Sequence, residues 1–421
     1  MGNKFSFVIV SFMILLLSFI PIGPSLLAAA TPADRYTART ADGVDLALKR
    51  YRPDEKAGFR KRGQPVILMP GMLCNINYFD VWTPPGKSYS PQLPSLPDWA
   101  RRDPYIKKDP MRYFSLAHYL WLQGYDVWLA NYRGQGREPY MSGGAEKAYT
   151  PNDCGIYDLP AIVEKVYEVT RKHPIWIGHS MGAAMAYIYL EGATYVDGDR
   201  MKIVLDPALA AERNGGRGKQ SLRGFVDLDG PVQAAGNPAN NNPESYSHLP
   251  AYIDMRYLLE NYGDLMGTVQ YFSSLILWCL YRALGSPDLG FFNALLVCEP
   301  NNVVQDVLKY VATYVADGIS GGVAAVVTGN MNGNPDVPPE VANFYQNNLD
   351  KITLPALVVA DGTKDLTDPE GIRQVYVSKT RHKADKFFEL PGTAHMDLVF
   401  GLKGPQTLFP EINRWIKRLP R

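Results

Sequence analysis

Apolar and polar positions change rhythm several times along this chain, and each change predicts an element. RYTARTADGVDLALKRYRP, starting at Arg35, alternates on both sides of Asp42-Gly43 and predicts a two-stranded hairpin. QPVILMPG, ending at Gly71, is an unbroken apolar run closed by Pro-Gly, the pattern of a strand buried on both faces. Residues 80–110 are proline-rich and aperiodic, so an irregular surface excursion is expected there. FSLAHYLWLQGYDVWLANYRG then predicts a helix stopped at Gly124 and a buried strand over Tyr125–Ala130. DLPAIVEKVYEVTRK has helical spacing with proline in its first turn. PIWIG reads as a strand, MGAAMAYIYLEG as a helix and LRGFVDLDG as another strand. LPALVVADG and KFFELPG are late strands, and LFPEINRWIKRL closes the chain as an amphipathic helix. Strands alternating with helices place the chain in the α/β class, with a mostly parallel central sheet covered by helices on both faces.

Two regions depart from this rhythm. Residues 1–30 open with Lys4, continue through the uncharged run FSFVIVSFMILLLSFI to Pro21, Gly23 and Pro24, and end at Ala28-Ala29-Ala30. That order predicts a secretory signal peptide cleaved near Ala30, with an uncleaved membrane anchor as the alternative. The opening MGNKFS also fits a myristoylation pattern, but the apolar run behind it favours export. Residues 232–350 hold no convincing strand, only aromatic-rich helical stretches such as YGDLMGTVQYFSSLILWCLYRAL and loops such as GNMNGNPDVPPE. They predict a helical cap inserted into a core made of residues 31–231 and 351–421. Gln270, Ser273 and Ser274 interrupt the uncharged run Leu265–Tyr281, which argues against a membrane span there.

Composition narrows the function classes. The chain has 421 residues, 46% of them hydrophobic, and a formal net charge of +1. This is ordinary globular composition, and it lacks the basic stripe that a nucleic-acid partner requires. Cys74, Cys154, Cys279 and Cys298 have no metal-binding spacing. Cys279 and Cys298 lie in one segment and are candidates to pair in an exported chain, while four buried thiols fit equally well. No His/Cys/carboxylate cluster has ligand spacing, so neither a metal nor an organic cofactor is expected.

The candidate chemistry centres on GHSMG, residues 178–182, between a predicted strand and a predicted helix. In that context G-x-S-x-G is a nucleophile elbow, with glycines letting strand and helix pack closely around Ser180. A serine hydroxyl needs a base, and the chain has six histidines. His118 falls in a helix, His173 precedes the elbow strand, and His179 points away from its neighbour Ser180. His248 lies in the insert and His382 precedes the last strand. His395 follows the last strand on a Gly-containing loop, where it can reach the carboxyl edge of the sheet. An acid must orient that base. After the penultimate strand, Asp361 belongs to an Asp-Gly turn and Asp368 caps the next helix, which leaves Asp365 favoured. Asp229, after the preceding strand, is the reserve. The oxyanion donors expected are the backbone N–H groups of Met181 and Met72.

PGMLCN, GYDVWLANYRGQGRE, YDLPAIVEKV, GHSMG, GTKDLTDPEGI and AHMDLVFG together resemble the α/β-hydrolases, and most of all their acid and neutral lipase branch. The resemblance runs from residue 70 to the end of the core, leaving out the proline-rich excursion and the insert. It implies the α/β-hydrolase fold, a Ser180–Asp365–His395 triad, and Met72 with Met181 at the oxyanion. The chain departs from that branch at Pro70-Gly71, where His-Gly is usual, and at Met181, where Gln is usual. The expected function is a secreted or periplasmic serine esterase or lipase, acting on a small-molecule or lipid ester and touching lipid transiently through its cap. The cap aromatics Phe272 and Trp278 are expected to wall the acyl site. A polyester depolymerase or thioesterase on the same triad is the alternative. A non-catalytic binding module on this scaffold is the reading from another class, although such modules generally lack a triad member and none is missing here.

Overall fold

The computed structural model describes residues 34–53, 63–283, 298–332, 337–363 and 366–420, without the side chains of 273–283 and 327–332. The leader segment and Asp365 lie outside the described residues. In chain order the strands are β1 (Asp34–Arg39), β2 (Asp45–Tyr51), β3 (Pro65–Met69), β4 (Asp126–Ala130), β5 (Ile175–His179), β6 (Ala193–Val196), β7 (Asp199–Leu205), β8 (Gly224–Leu228), β9 (Tyr252–Ile253), β10 (Ile319–Ser320), β11 (Ala356–Ala360) and β12 (Lys386–Glu389). An 8-stranded sheet runs β1-β2-β4-β3-β5-β8-β11-β12. The β1–β2 and β2–β4 pairs are antiparallel and every other pair in it is parallel. From β3 the chain steps outward to β4 and then crosses back over β3 to β5. Their carboxyl ends therefore open a crevice at the topological switch point, where α/β sheets bind ligands.

The apolar runs are unbroken because both faces of these strands are covered. Val66 and Leu68 of β3, Ile175 and Ile177 of β5, and Val226 and Leu228 of β8 belong to one buried cluster with helices α1 (Leu116–Leu122) and α7 (Phe409–Arg418). The alternate residues Ile67, Met69 and Trp176 join the opposite cluster with α2 (Leu159–Thr170) and α3 (Met181–Leu190). Every residue of α3 is buried, which suits an all-apolar helix with no solvent face. α6 (Pro369–Ser378) connects β11 to β12.

Two strand pairs add to the predicted pattern. β6 and β7 form a hairpin turning at Asp197-Gly198, both at positive φ. Its residues are half-exposed, so no continuous apolar run marks it. In the insert, β9 pairs with β10 over two residues each, too short to leave a period in the sequence. Of the insert's helices, α4 (Arg256–Ala283) and α5 (Gln305–Tyr310) pack at close range. A Cβ on Gly263 would stand 2.4 Å from Thr313 Oγ1, and one on Gly267 would stand 2.6 Å from the Leu308 carbonyl oxygen.

Tyr271 of α4 packs against the core, whereas Tyr262, Leu265, Val269 and Phe272 face outward. Phe272, expected to wall the acyl site, stands on that outward side and is 51% exposed; Trp278 has its side chain outside the described set. Among the described residues, no helix is long and apolar enough to cross a membrane. Cys74 and Cys154 are buried free thiols, and burial pushes the Cys74 thiol up to about 12. Cys279, half of the candidate pair, has its side chain outside the described set.

Candidate active site

Ser180 follows β5 directly at φ 53° and ψ −124°, a left-handed conformation that costs a non-glycine residue energy and turns its side chain out of the sheet edge. Its surroundings hold it there. Ser180 N–H donates to Leu228 O at 3.0 Å, while its carbonyl accepts from Ala183 and Ala184. A Cβ on Gly178 would lie 2.4 Å from the Gly182 backbone, and one on Gly182 would lie 2.4 Å from Met69 O. Only hydrogen atoms fit at these two crossings. Gly71 passes over the elbow so closely that a Cβ there would meet Ser180 Cβ at 2.8 Å.

His395 arrives on the turn after β12. Asp397 Oδ1 accepts from Ala394 N–H at 2.7 Å and so closes that turn. The imidazole is almost fully buried, with Nε2 2.9 Å from Ser180 Oγ and Nδ1 2.6 Å from Asp229 Oδ2. Asp229 is the first residue after β8 and stands at φ 56°. Its N–H donates to Val359 O at 2.8 Å, and its carboxylate also accepts from Thr367 Oγ1 at 2.7 Å. The acid brought to His395 is therefore the reserve residue; the favoured Asp365 lies outside the described residues. Asp368 caps α6 and Asp361 accepts within its own turn, as their positions imply.

The turn carrying Asp229 is fixed from beneath. Asp227 Oδ1 accepts from Gly230 N–H at 2.7 Å, and Tyr187 donates its hydroxyl to Asp227 Oδ2. Burial pushes the Asp227 carboxyl up from its ordinary range, to about 8.

Met181 opens α3 directly after Ser180, and Met72 follows Gly71 on the loop that passes over the elbow. The loop is held by Tyr132, which donates its hydroxyl to Gly71 O at 3.3 Å, and by the insert. Leu73, at φ 62°, accepts from Asp317 N–H at 2.8 Å. Asp317 Oδ2 accepts from Gly136 N–H at 2.7 Å and from Asn75 Nδ2 at 3.1 Å. Burial pushes the Asp317 carboxyl up to about 6, against the pull of Arg256. Sequence reasoning gave no role to Asp317, because its partners lie about 180 and 240 positions away.

The other histidines are occupied elsewhere. His118 pairs with Asp103 at 2.6 Å, His173 stacks on Tyr167, His248 is exposed, and His382 Nδ1 accepts from Ala384 N–H. His179 does turn away from Ser180, toward the backbone of His395. Among the described residues, no three His, Cys, Asp or Glu side chains are grouped to hold a metal ion.

Residues 109–255 match the family model described as Serine aminopeptidase, S33. The chain is 29% identical over 164 residues to Lipase member N of Mus musculus, covering 37% of this chain and 34% of that protein. It is 27% identical over 163 residues to Gastric triacylglycerol lipase of Homo sapiens, covering 37% and 34%. Lipase 3 of Drosophila melanogaster is 27% identical over 190 residues, covering 42% and 40%. The matched stretch thus spans between 34% and 40% of these relatives' lengths. Among solved structures, a thermophilic esterase from Thermogutta terrifontis is 14% identical, with a TM-score of 0.46 over 92% of this chain and 99% of that one. A putative aryl esterase from Burkholderia cenocepacia is 17% identical, with a TM-score of 0.42 over 91% and 98%.

Proposed function

We propose that the chain is an α/β-hydrolase of the lipase and esterase type and that it cleaves carboxylic esters through an acyl-enzyme on Ser180. His395 Nε2 takes the hydroxyl proton as Ser180 Oγ attacks the ester carbonyl carbon. Asp229 holds the Nδ1–H tautomer and stabilises the imidazolium that forms. The carbonyl oxygen becomes an oxyanion, met by the N–H groups of Met181 and Met72; one such donor is worth about 10²–10³ in rate. Collapse of the tetrahedral intermediate breaks the C–O bond, and the departing alcohol takes the proton from His395. Water then enters by the same base, and the carboxylic acid leaves.

The observation that carries this reading is the hydrogen-bonded path Ser180–His395–Asp229, at 2.9 and 2.6 Å. An ester rather than a peptide substrate is favoured by the curated relatives, which are named as lipases. The signal-like segment 1–30 supports export, so the mature chain is expected to begin near Thr31. The test is a panel of p-nitrophenyl esters from short to long acyl chains, a triglyceride emulsion, and labelling by a fluorophosphonate. Wild type should hydrolyse part of the panel and take the label, while Ser180→Ala should do neither. A wild-type enzyme inert toward both esters and label, or a label retained by Ser180→Ala, defeats the proposal.

A further inference from the structure

Tyr78 and His179 are nowhere near each other in sequence, yet their rings stack at 4.5 Å between centroids and 24° between planes. Tyr78 lies in the turn beyond the oxyanion loop, and His179 is the last residue of β5, immediately before Ser180. Both rings are almost completely buried. Each sends a hydrogen-bonding group to the same short stretch. His179 Nε2 lies 2.9 Å from the carbonyl oxygen of His395, and Tyr78 Oη lies 3.0 Å from the carbonyl oxygen of Met396. A carbonyl oxygen only accepts, so Tyr78 donates its hydroxyl hydrogen and His179 must carry its hydrogen on Nε2.

That choice leaves His179 Nδ1 as a bare lone pair, and it has no partner among the described residues. A buried nitrogen without a partner is costly, so its retention here calls for a compensating role. The ring of His179 also lies 4.7 Å from that of His395. Burial, and then the neighbouring His395, hold the His179 pKa well below the ordinary histidine range. His179 therefore stays neutral and puts no second cation beside the imidazolium of His395. It remains a fixed N–H donor throughout the cycle.

We propose that Tyr78 and His179 are positioning residues: a stacked pair whose two donated hydrogen bonds fix consecutive carbonyls of the catalytic-histidine turn, and so aim the His395 imidazole between Ser180 and Asp229. The inference rests on the hydrolase reading above. It ties three separately built parts to one another: the loop after β3, the end of β5 and the turn after β12. The backbone of that turn is then held on its carbonyl side by the pair and on its amide side by Asp397, which accepts from Ala394 N–H. His395 has little rotational freedom left, and small errors in its aim are expensive, since a misplacement of about 1 Å can cost about 10²-fold in rate.

The test uses near-isosteric variants on the full chain, each checked by circular dichroism and melting. Tyr78→Phe keeps the ring stack and loses only the hydroxyl donor. His179→Phe keeps a ring and loses Nε2–H, and His179→Gln restores an N–H donor without a ring. Tyr78→Phe should lower kcat about 10-fold and His179→Phe about 10- to 100-fold, with KM within about twofold of wild type. The acid limb of the kcat/KM profile should move to lower pH in both, because a poorly aimed Nδ1–H bond to Asp229 stabilises the imidazolium less. His179→Gln should recover most of the kcat lost in His179→Phe. A folded Tyr78→Phe with wild-type kcat and an unmoved acid limb overturns the proposal, as does His179→Gln performing no better than His179→Phe. Should His179→Phe fail to fold, Tyr78→Phe decides alone. These outcomes are separate from failure of the hydrolase reading, which shows as a wild-type enzyme without ester turnover or fluorophosphonate labelling.

Discussion

Asp229 and Ser180 leave adjacent strands at the same level, each directly after a paired residue: His179 of β5 stands opposite Leu228 of β8. One rung of the sheet thus sets both the nucleophile and the acid that His395 bridges. Asp229→Asn, which keeps the shape but upsets the tautomer, should lower kcat by about 10²–10⁴-fold. Asp365→Asn should cost less than about tenfold. Steady-state kinetics on one short p-nitrophenyl ester rank the two, and the reverse order would return the acid to the loop after β11.

The elbow glycines are sites where a methyl group has nowhere to go. Gly182→Ala drives a Cβ into the Met69 and Pro70 carbonyls, and Gly178→Ala drives one into Gly182. Backbone cannot yield as a side chain does, so each should destabilise the fold by roughly 2–4 kcal/mol. Gly86→Ala is the control: its Cβ would meet nothing within 4 Å, although its φ of 79° adds some strain. Thermal melts in which Gly182→Ala matches the control would contradict this packing account.

Asp317 should leave a mark on stability against pH. Its carboxyl titrates at about 6 in the fold, against 3.8 for the ordinary side chain. Between those values the native state holds more protons than the unfolded one, so stability from this group falls as pH rises from about 4 to about 6 and is level on either side. The full excursion is roughly 3 kcal/mol, from 1.36 kcal/mol per unit. Asp317→Asn removes that dependence, so urea unfolding should show the variant gaining on wild type as pH rises through this window. A constant difference from pH 4 to 6.5 would rule it out.

The outward side of α4 offers a test of contact with lipid. Leu265, Val269 and Phe272 are 63%, 55% and 51% exposed and recur at helical spacing, which makes a narrow apolar stripe. Replacing Leu265 and Val269 together by aspartate should lower hydrolysis of a triglyceride emulsion about fivefold or more, with p-nitrophenyl acetate turnover unchanged. Equal loss on both substrates would assign the stripe to folding rather than to a surface encounter.

How much of this was legible in the sequence depended on range. Ile175–His179 and Ala356–Ala360 are strands in the structure because their local apolar runs demand burial on both faces. The position of Ser180 at a strand–helix elbow follows from five adjacent residues. The acid was harder, because Asp229-Gly230 and the Asp361–Asp368 loop each offer a carboxylate just past a strand. Which of them meets His395 depends on how a side chain 166 positions from Asp229 enters the crevice, and no local pattern encodes that. Phe272 illustrates a different limit. Helical period tells which residues share a face, but not whether that face turns inward.

Gly263 and Gly267 divide α4 into two sides with unequal histories open to them. Where α4 crosses the Leu308–Thr313 stretch there is no slack for even one carbon, so drift on that side is penalised at once. The opposite side, with Leu265 and Val269 in water, can change residue by residue without disturbing the crossing. A descendant of this chain that acquires a new surface to work on can do so by repainting one side of this helix, leaving the seam with Leu308–Thr313 untouched.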